Sequence, residues 1–207
     1  MLIKILAAIL GGAFVSEFFG YWLHILLHSN KIEFLSRNHM IHHLLLYGPE
    51  KPLRTDHYVD SVGQRTSVLG IGLEWIIPLG VLIAVLAAVF YLTGVGALYQ
   101  LFFFAAAIGW GFFMFSYLHD AMHVKDFWME KNPLFKNWYL NARRRHDVHH
   151  LTLSDDGRMV ANFGICFYLF DRLFGSYQRQ QLQFNRKGLD AALSRYAFIF
   201  KESRPSA

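Results

Sequence analysis

The stretch that organises this chain is residues 24–43, which read HILLHSNKIEFLSRNHMIHH. It contains a histidine pair with three residues between its members, followed by a histidine triplet with the spacing H-x2-H-H. The same two spacings return in the same order at residues 119–123, HDAMH, and 146–150, HDVHH. Ten of the eleven histidines belong to this repeat and only His57 lies outside it, so chance clustering explains the pattern poorly.

The repeated spacing has a direct chemical meaning. Residues three and four apart on a helix share a face, about 5–6 Å from each other, so each motif presents its imidazoles together. Neutral imidazole is the commonest side-chain metal ligand, and ten of them exceed what one ion accepts. The sequence therefore predicts two metal ions, although the spacing alone does not identify the metal. The predicted ligands are His24, His28, His39, His42, His43, His119, His123, His146, His149 and His150.

Composition places the chain among membrane proteins. Hydrophobic residues make up 54% of its 207 residues, including 20 Phe, 10 Tyr and 5 Trp, and its mean hydropathy is +0.26. The single cysteine, Cys166, excludes an intrachain disulfide and a CxxC zinc site. Basic residues outnumber acidic ones by 20 to 15, but they lie between apolar runs instead of forming a stripe with exposed aromatics. This arrangement does not favour binding to nucleic acid.

Three apolar runs are each long enough to cross a hydrocarbon core of about 30 Å. They are residues 2–23, 68–92 and 97–118. The first is predicted to be a permanent anchor and not a signal peptide, because it continues through Tyr21 and Trp22 and no A-x-A cleavage site follows. Only four residues separate the second run from the third, which predicts an antiparallel hairpin.

Three spans put all ten repeated histidines on one side of the membrane. Residues 29–67 and the chain after residue 123 carry many Lys and Arg, whereas the hairpin tip has none, so this side is predicted to be cytoplasmic. The expected fold is an all-α integral membrane protein with about three transmembrane helices and a cytoplasmic helical cap that holds a histidine-rich dimetal site. We expect the cap to comprise residues 29–67 and 119–178, and residues 179–207 to form a polar, basic tail.

Residues 159–170 are an apolar run too short to span the bilayer. They are predicted to pack over the metal site or to form a fourth, half-inserted or interfacial helix.

Several polar residues are candidates for roles around the metals. Asp120 and Asp147 each follow a histidine and are candidates to hydrogen-bond the ligands from behind, with a solvated or capping aspartate as the equal alternative. Asn162 is a candidate polar group near the site, with a helix-capping or core amide as its alternative. Glu17 is expected on the inner wall of the helix bundle, beside a substrate path. Glu74 is expected to reach the membrane interface.

The histidine motifs, together with Asn162-Phe163-Gly164 and the run FDRLFGSY at 170–177, resemble the fatty acid hydroxylase and sterol desaturase superfamily of integral-membrane di-iron oxygenases. The resemblance covers residues 17–178. It implies two irons held by the ten histidines, with zinc as a substitute in purified protein, and O2 as co-substrate. It also implies a lipid whose C–H bond is hydroxylated or desaturated, and an external electron donor such as ferredoxin or cytochrome b5 with its reductase.

Three alternatives remain at this point. The related carotenoid ring hydroxylases share the His119-Asp120 start of the third motif, but usually have four residues between the paired histidines. A histidine-rich metal transporter would carry its polar residues in the middle of several spans, whereas these histidines follow span ends. A degenerate relative would keep metals for stability alone, without turnover.

Overall fold

The computed structural model describes residues 1–60, 67–68, 71–180 and 183–201. Within these residues the regular secondary structure is helical, apart from one antiparallel pairing of residues 67–68 with 71–72 and two isolated bridges. Three segments are long and apolar enough to cross a membrane. They are Leu2–Leu27, Leu73–Leu92 and Ala97–Met122. The predicted all-α class is therefore confirmed, and each of the three predicted spans corresponds to a helix that could cross a membrane.

The α-helices are numbered in chain order. They are α1 (Leu2–Leu27), α2 (Glu33–Ile41), α3 (Leu73–Leu92), α4 (Ala97–Phe112), α5 (His119–Met122), α6 (Trp128–Lys131), α7 (Lys136–Leu151), α8 (Leu169–Phe174) and α9 (Arg186–Arg195). Two π-helical turns, His42–Leu46 and Phe113–Leu118, continue α2 and α4 directly into the histidine region. Such turns often occur at functional sites, because one wider turn changes the direction of every side chain after it.

The first and third spans, α1 and α4, pack closely along their length. A Cβ added at Gly12 would lie 2.2 Å from the Phe103 carbonyl oxygen, so only glycine allows the two backbones to approach this far. The Trp110 indole Nε1 donates a 2.7 Å hydrogen bond to Glu17 across the same interface. Glu17 therefore joins two spans, which differs from the expected position beside a substrate path.

The second span begins later than predicted. Helix α3 starts at Leu73 and not at residue 68, because residues 71–72 are extended and pair with 67–68, while residues 69–70 lie outside the described residues. The predicted four-residue connection to α4 is confirmed by its bounds. One face of α3 exposes apolar side chains at four-residue intervals, which suits contact with lipid. These residues are Ile77, Val81, Val85 and Val89.

Residues 159–170 do not form a fourth helix. Residues 159–168 are irregular, and only the six residues of α8 follow them. Asn162 and Tyr168 adopt left-handed φ angles of 56° and 51°, which interrupt a right-handed helix. Most of the run is nevertheless buried, and the Phe163 ring lies 5.4 Å from that of His149. Its apolar character thus reflects packing over the imidazoles.

Part of the predicted polar tail belongs to the hydrophobic core. Helix α9 buries its apolar face against α2 and the π-helical turn that follows α2. The Tyr196 hydroxyl, next to this helix, is fully buried and donates a 2.6 Å hydrogen bond to the carbonyl of His28 at the end of α1. The C-terminal segment therefore supports the helices that carry histidines, while residues 202–207 of the predicted tail lie outside the described residues.

Candidate metal centre

The ends of α1, α2, α5 and α7 bring the repeated histidines into one buried region. Nine of the ten are buried, and His119 is partly exposed. His57 is exposed in the loop after α2, as expected for a histidine outside the repeat. The burial of nine imidazoles without a neighbouring carboxylate for each makes an ordinary surface cluster a poor explanation.

The buried imidazoles form two groups, within each of which the possible ligand atoms all lie within 4.8 Å of one another. Group one consists of His24, His28, His39, His43 and His149. Group two consists of His42, His123, His146 and His150. The His119 ring centroid lies 4.8 Å from that of His42 and 5.0 Å from that of His146, so His119 stands beside group two.

Each triplet divides its histidines between the groups. The first and last members, four residues apart, share a helix face and join the same group, whereas the middle member points to the other group. His42 thus crosses to the group built on α5 and α7, and His149 crosses to the group built on α1 and α2. The two groups are interlocked, so that neither is complete without both halves of the sequence.

Backbone carbonyls fix the direction of several rings. His24 Nδ1 lies 2.5 Å from the Phe163 oxygen and His149 Nδ1 lies 2.6 Å from the Ala161 oxygen, and because a carbonyl only accepts, each Nδ1 carries the proton. His123 and His150 make the same contact at 3.0 Å with the carbonyls of Leu53 and Tyr47. This arrangement leaves each Nε2 lone pair free to face inward, as is typical of metal-binding histidines.

The inward-facing nitrogens fit metal ions. The Nε2 atoms of His28 and His39 are 3.1 Å apart, and those of His123 and His146 are 2.9 Å apart. Lone pairs this close repel unless a proton or a cation lies between them. Among the described residues, the buried Nε2 atoms of His24, His42 and His119 also have no hydrogen-bond partner. A buried polar atom without a partner is costly, and a bound metal would satisfy all of these atoms.

Burial also keeps these rings neutral. Desolvation lowers the pKa of His149 to about 4, despite the opposing hydrogen bond to Ala161. Desolvation, followed by repulsion from neighbouring imidazoles, lowers the pKa of His39 and His43 well below the usual value. Neutral imidazole is the form that binds metal, so the apo site is already in the required protonation state at pH 7.

The polar candidates near the histidines have different positions. The Asp120 carboxylate lies 2.9 Å from His119 Nδ1, in the expected place behind a candidate ligand. Asp147 instead pairs with Arg54 at 2.5 Å. Arg54 follows Leu53, whose carbonyl holds His123, so Asp147 supports that loop and contacts no ring directly. Burial raises the pKa of Asp147, while Arg54 opposes this effect.

Asn162 is a core amide. Its side chain donates to the carbonyls of Arg145 and Gln178 and accepts from the Gln178 amide at 2.9–3.1 Å. These bonds anchor the backbone between Ala161 and Phe163, whose carbonyls hold group one. These contacts are those of the predicted core amide, since the side chain bonds backbone groups of Arg145 and Gln178.

A cavity of about 450 Å³ lies between α1, α3 and α4 and reaches the rings of His39, His42 and His119. Its membrane portion is apolar and contains glycines that widen it. These lining residues include Phe19, Gly20, Trp75, Leu79, Ile108, Gly109 and Phe112. The cavity therefore connects the depth of the spans to both histidine groups.

Glu74 lines the end of this cavity nearest the histidines and is buried, so its side chain does not reach outward as expected. The carboxylate folds over Gly72, where a Cβ would lie 2.1 Å from it, and Asn38 Nδ2 stands 3.4 Å away. The sequence contained no signal for this inward direction, since it depends on the extended backbone before α3.

The comparison with protein families gives one clear result. The fatty acid hydroxylase family profile matches residues 9–176, which is most of the chain and includes both copies of the histidine repeat. Comparisons with curated proteins and with solved structures give no significant match. The resemblance read from the histidine motifs is confirmed, and the chain belongs to the fatty acid hydroxylase family.

Proposed function

We propose that this protein is an O2-dependent di-iron membrane oxygenase that hydroxylates or desaturates an aliphatic C–H position of a lipid such as a fatty acyl chain or a sterol. The family consists generally of oxidoreductases with hydroxylase or desaturase activity. The observation that carries the proposal is the apolar cavity within the spans, which ends at two groups of neutral imidazoles.

The ten repeated histidines would hold the metals, five from each half of the chain. Iron bound there supplies the electrons that make O2 reactive toward a C–H bond, whereas zinc in the same sites would be inert. The remaining work belongs to the protein. Backbone carbonyls orient the rings, and burial keeps them neutral.

The cavity would select and orient the lipid. Its walls on α1, α3 and α4 are apolar, so a hydrocarbon chain entering from the bilayer gains favourable burial along its length. Its charged and amide residues near α3 and α5 lie at the histidine end, where Asn38, Glu74 and Asp120 meet the cavity. A lipid is therefore expected to present a carbon near His39, His42 and His119 while the rest of its chain stays within the spans.

The function can be tested with isotopically labelled oxygen. Cells that produce the protein would be grown under 18O2, and their lipids compared by mass spectrometry with those of cells producing the His149→Ala variant. We expect a lipid carrying 18O, or one that has lost two hydrogens, only with the unchanged protein. Identical lipids in both cultures, with zinc uptake by vesicles that contain the purified protein, would instead support the metal transporter.

We further propose that the histidine side faces the cytoplasm, where a ferredoxin or cytochrome b5 with its reductase supplies electrons. The exposed Arg144 on α7 lies on this side and suits an acidic donor. Thr93→Cys at the hairpin tip should react with an impermeant maleimide in intact cells, and Asp190→Cys on α9 only after permeabilisation. Burial raises the pKa of Cys166, so the native thiol gives little background. The reverse labelling pattern would overturn the orientation.

A further inference from the structure

Asp171 is a fully buried carboxylate at the start of α8, and it was not among the candidate residues predicted from the sequence. One oxygen, Oδ1, accepts hydrogen bonds from the Phe163 amide at 2.6 Å and from the Ser176 hydroxyl at 2.7 Å. The other, Oδ2, accepts from the Gly164 amide at 2.8 Å. Three donors thus converge on a carboxylate that contacts no candidate metal ligand directly.

The Gly164 N–H and the Phe163 carbonyl belong to the same peptide unit. That carbonyl accepts the Nδ1 proton of His24 at 2.5 Å, so one peptide connects the Asp171 carboxylate to an imidazole of group one. A carboxylate that accepts from an amide N–H shifts electron density toward the carbonyl oxygen, since hydrogen bonds in a chain polarise one another. The Phe163 oxygen consequently becomes a stronger acceptor for His24.

We propose that Asp171 is a positioning residue for group one, which acts on His24 through the Phe163–Gly164 peptide. Metal-binding histidines commonly donate their second N–H to a carboxylate or a carbonyl, which fixes the ring and raises its basicity as a ligand. Here the peptide between Phe163 and Gly164 lies between the carboxylate and the imidazole. The inference rests on the proposed function, because it requires group one to hold a metal ion.

The residues around Asp171 favour its contact with the Phe163–Gly164 peptide. A Cβ added at Gly164 would lie 2.7 Å from Asp171 Oδ2, so glycine allows the peptide to sit against the carboxylate. The Ser176 hydroxyl, besides bonding Asp171, lies 3.1 Å from the Tyr21 hydroxyl. Tyr21 and His24 are three residues apart on α1, so the Asp171 network contacts this helix at two points on one face.

Among the described residues, no carboxylate supports a ring of group two through a peptide, although Asp120 contacts His119 beside this group directly. The carbonyls of Leu53 and Tyr47 hold His123 and His150, but no carboxylate accepts a hydrogen bond from the amide of either peptide. The two groups therefore differ in how their rings are supported. Group two provides an internal control for any change made at Asp171.

The first experiment uses the purified full-length protein in detergent, loaded with ferrous iron alone. We expect the unchanged protein and the exposed control Asp190→Asn to bind two ions. Asp171→Asn removes the charge at nearly constant volume, and should weaken iron binding at group one by about 10- to 100-fold while group two is unchanged. Equal affinity of Asp171→Asn and the unchanged protein at both groups would overturn the inference.

The second measurement separates electronic support from simple structural support. At saturating iron, Asp171→Asn should shift the reduction potential of the bound iron to a more positive value, because His24 donates less electron density. Ser176→Ala removes one hydrogen-bond donor from the same carboxylate. The carboxylate should then accept more strongly from the Gly164 amide, so the reduction potential of the bound iron should shift to a more negative value. Shifts of the same sign, or none, would contradict the proposal.

If Asp171→Asn does not fold, the reduction potential of Ser176→Ala is a sufficient test. An unchanged potential in this milder variant would also overturn the proposal. The controls also distinguish two kinds of failure. An unchanged protein that binds no iron would overturn the proposed function. Two bound irons in the unchanged protein, with Asp171→Asn indistinguishable from it, would overturn only the role of Asp171.

Discussion

At the residue scale, the two histidine groups depend on side chains that cross between the sequence halves. His149 is fully buried, and its Nδ1 is held by the Ala161 carbonyl, so its Nε2 points only toward group one. His42 occupies the corresponding position in group two. Substitution of either middle member of a triplet should therefore affect one group and leave the other unchanged.

We predict that His149→Ala loses the metal of group one and that His42→Ala loses the metal of group two. Each variant should retain about one tightly bound ion and no activity, because each removes the one ligand in its group that comes from the other half of the sequence and so holds the two halves together at that ion. Metal content by mass spectrometry of the purified proteins checks this, with His57→Ala as the control that keeps both ions. Two ions and normal turnover in either variant would refute the assignment.

At the element scale, the distance between α1 and α4 positions His24 and the wall of the cavity. Gly12 sets this distance by direct backbone contact with Phe103, and the Glu17–Trp110 hydrogen bond joins the same helices nearer the metal end. A change that separates α1 from α4 would therefore move the end of α1 away from the other histidine helices.

We predict that Gly12→Ala destabilises the protein by about 1–3 kcal/mol, as is typical of overpacking against atoms that cannot rotate away. The added Cβ would lie 2.2 Å from a backbone oxygen, so the helices themselves must move. Thermal unfolding in detergent measures the effect. Gly80→Ala on α3, where a Cβ meets nothing within 4 Å, is the matched control and should leave the melting temperature equal or higher. Equal melting temperatures for both variants would show that the close approach is not required.

At the scale of the whole molecule, an apolar cavity lies between the three spans and reaches the histidines. Its shape depends on small residues that face it from α1 and α4. Gly109 is one of them, and a Cβ there has open space within 4 Å. Since Gly109 lines the cavity, a larger side chain there can occupy space beside it without disturbing the helices.

We predict that Gly109→Leu keeps both metals and normal stability but lowers lipid oxidation by at least about tenfold, because the leucine occupies the substrate's space. Metal content, melting temperature and product formation are measured on the same preparation. Gly80→Leu places the same side chain on the exposed face of α3, and should retain activity. Full turnover by Gly109→Leu would show that the substrate does not use this cavity.

The sequence by itself determined the class of fold and the family. An apolar run long enough to cross a membrane is expected to be helical, because a helix forms all of its backbone hydrogen bonds within one segment and the hydrocarbon core offers no water to form them instead. The histidine spacing predicted a pair of metals, because helical periodicity places such side chains on one face. These conclusions follow from local periodicity and composition, and for that reason they needed no knowledge of how the helices pack.

Only the tertiary structure decided which histidines meet, and which other groups hold them. His42 and His149 each join the group formed mainly by the other half of the sequence. Glu74 turns inward over Gly72, and Asp171 is linked to His24 through a peptide. Each relationship joins residues on different elements or depends on a turn with irregular backbone angles. The physical reason is that direction and distance between elements arise from packing, which spacing along one helix does not encode.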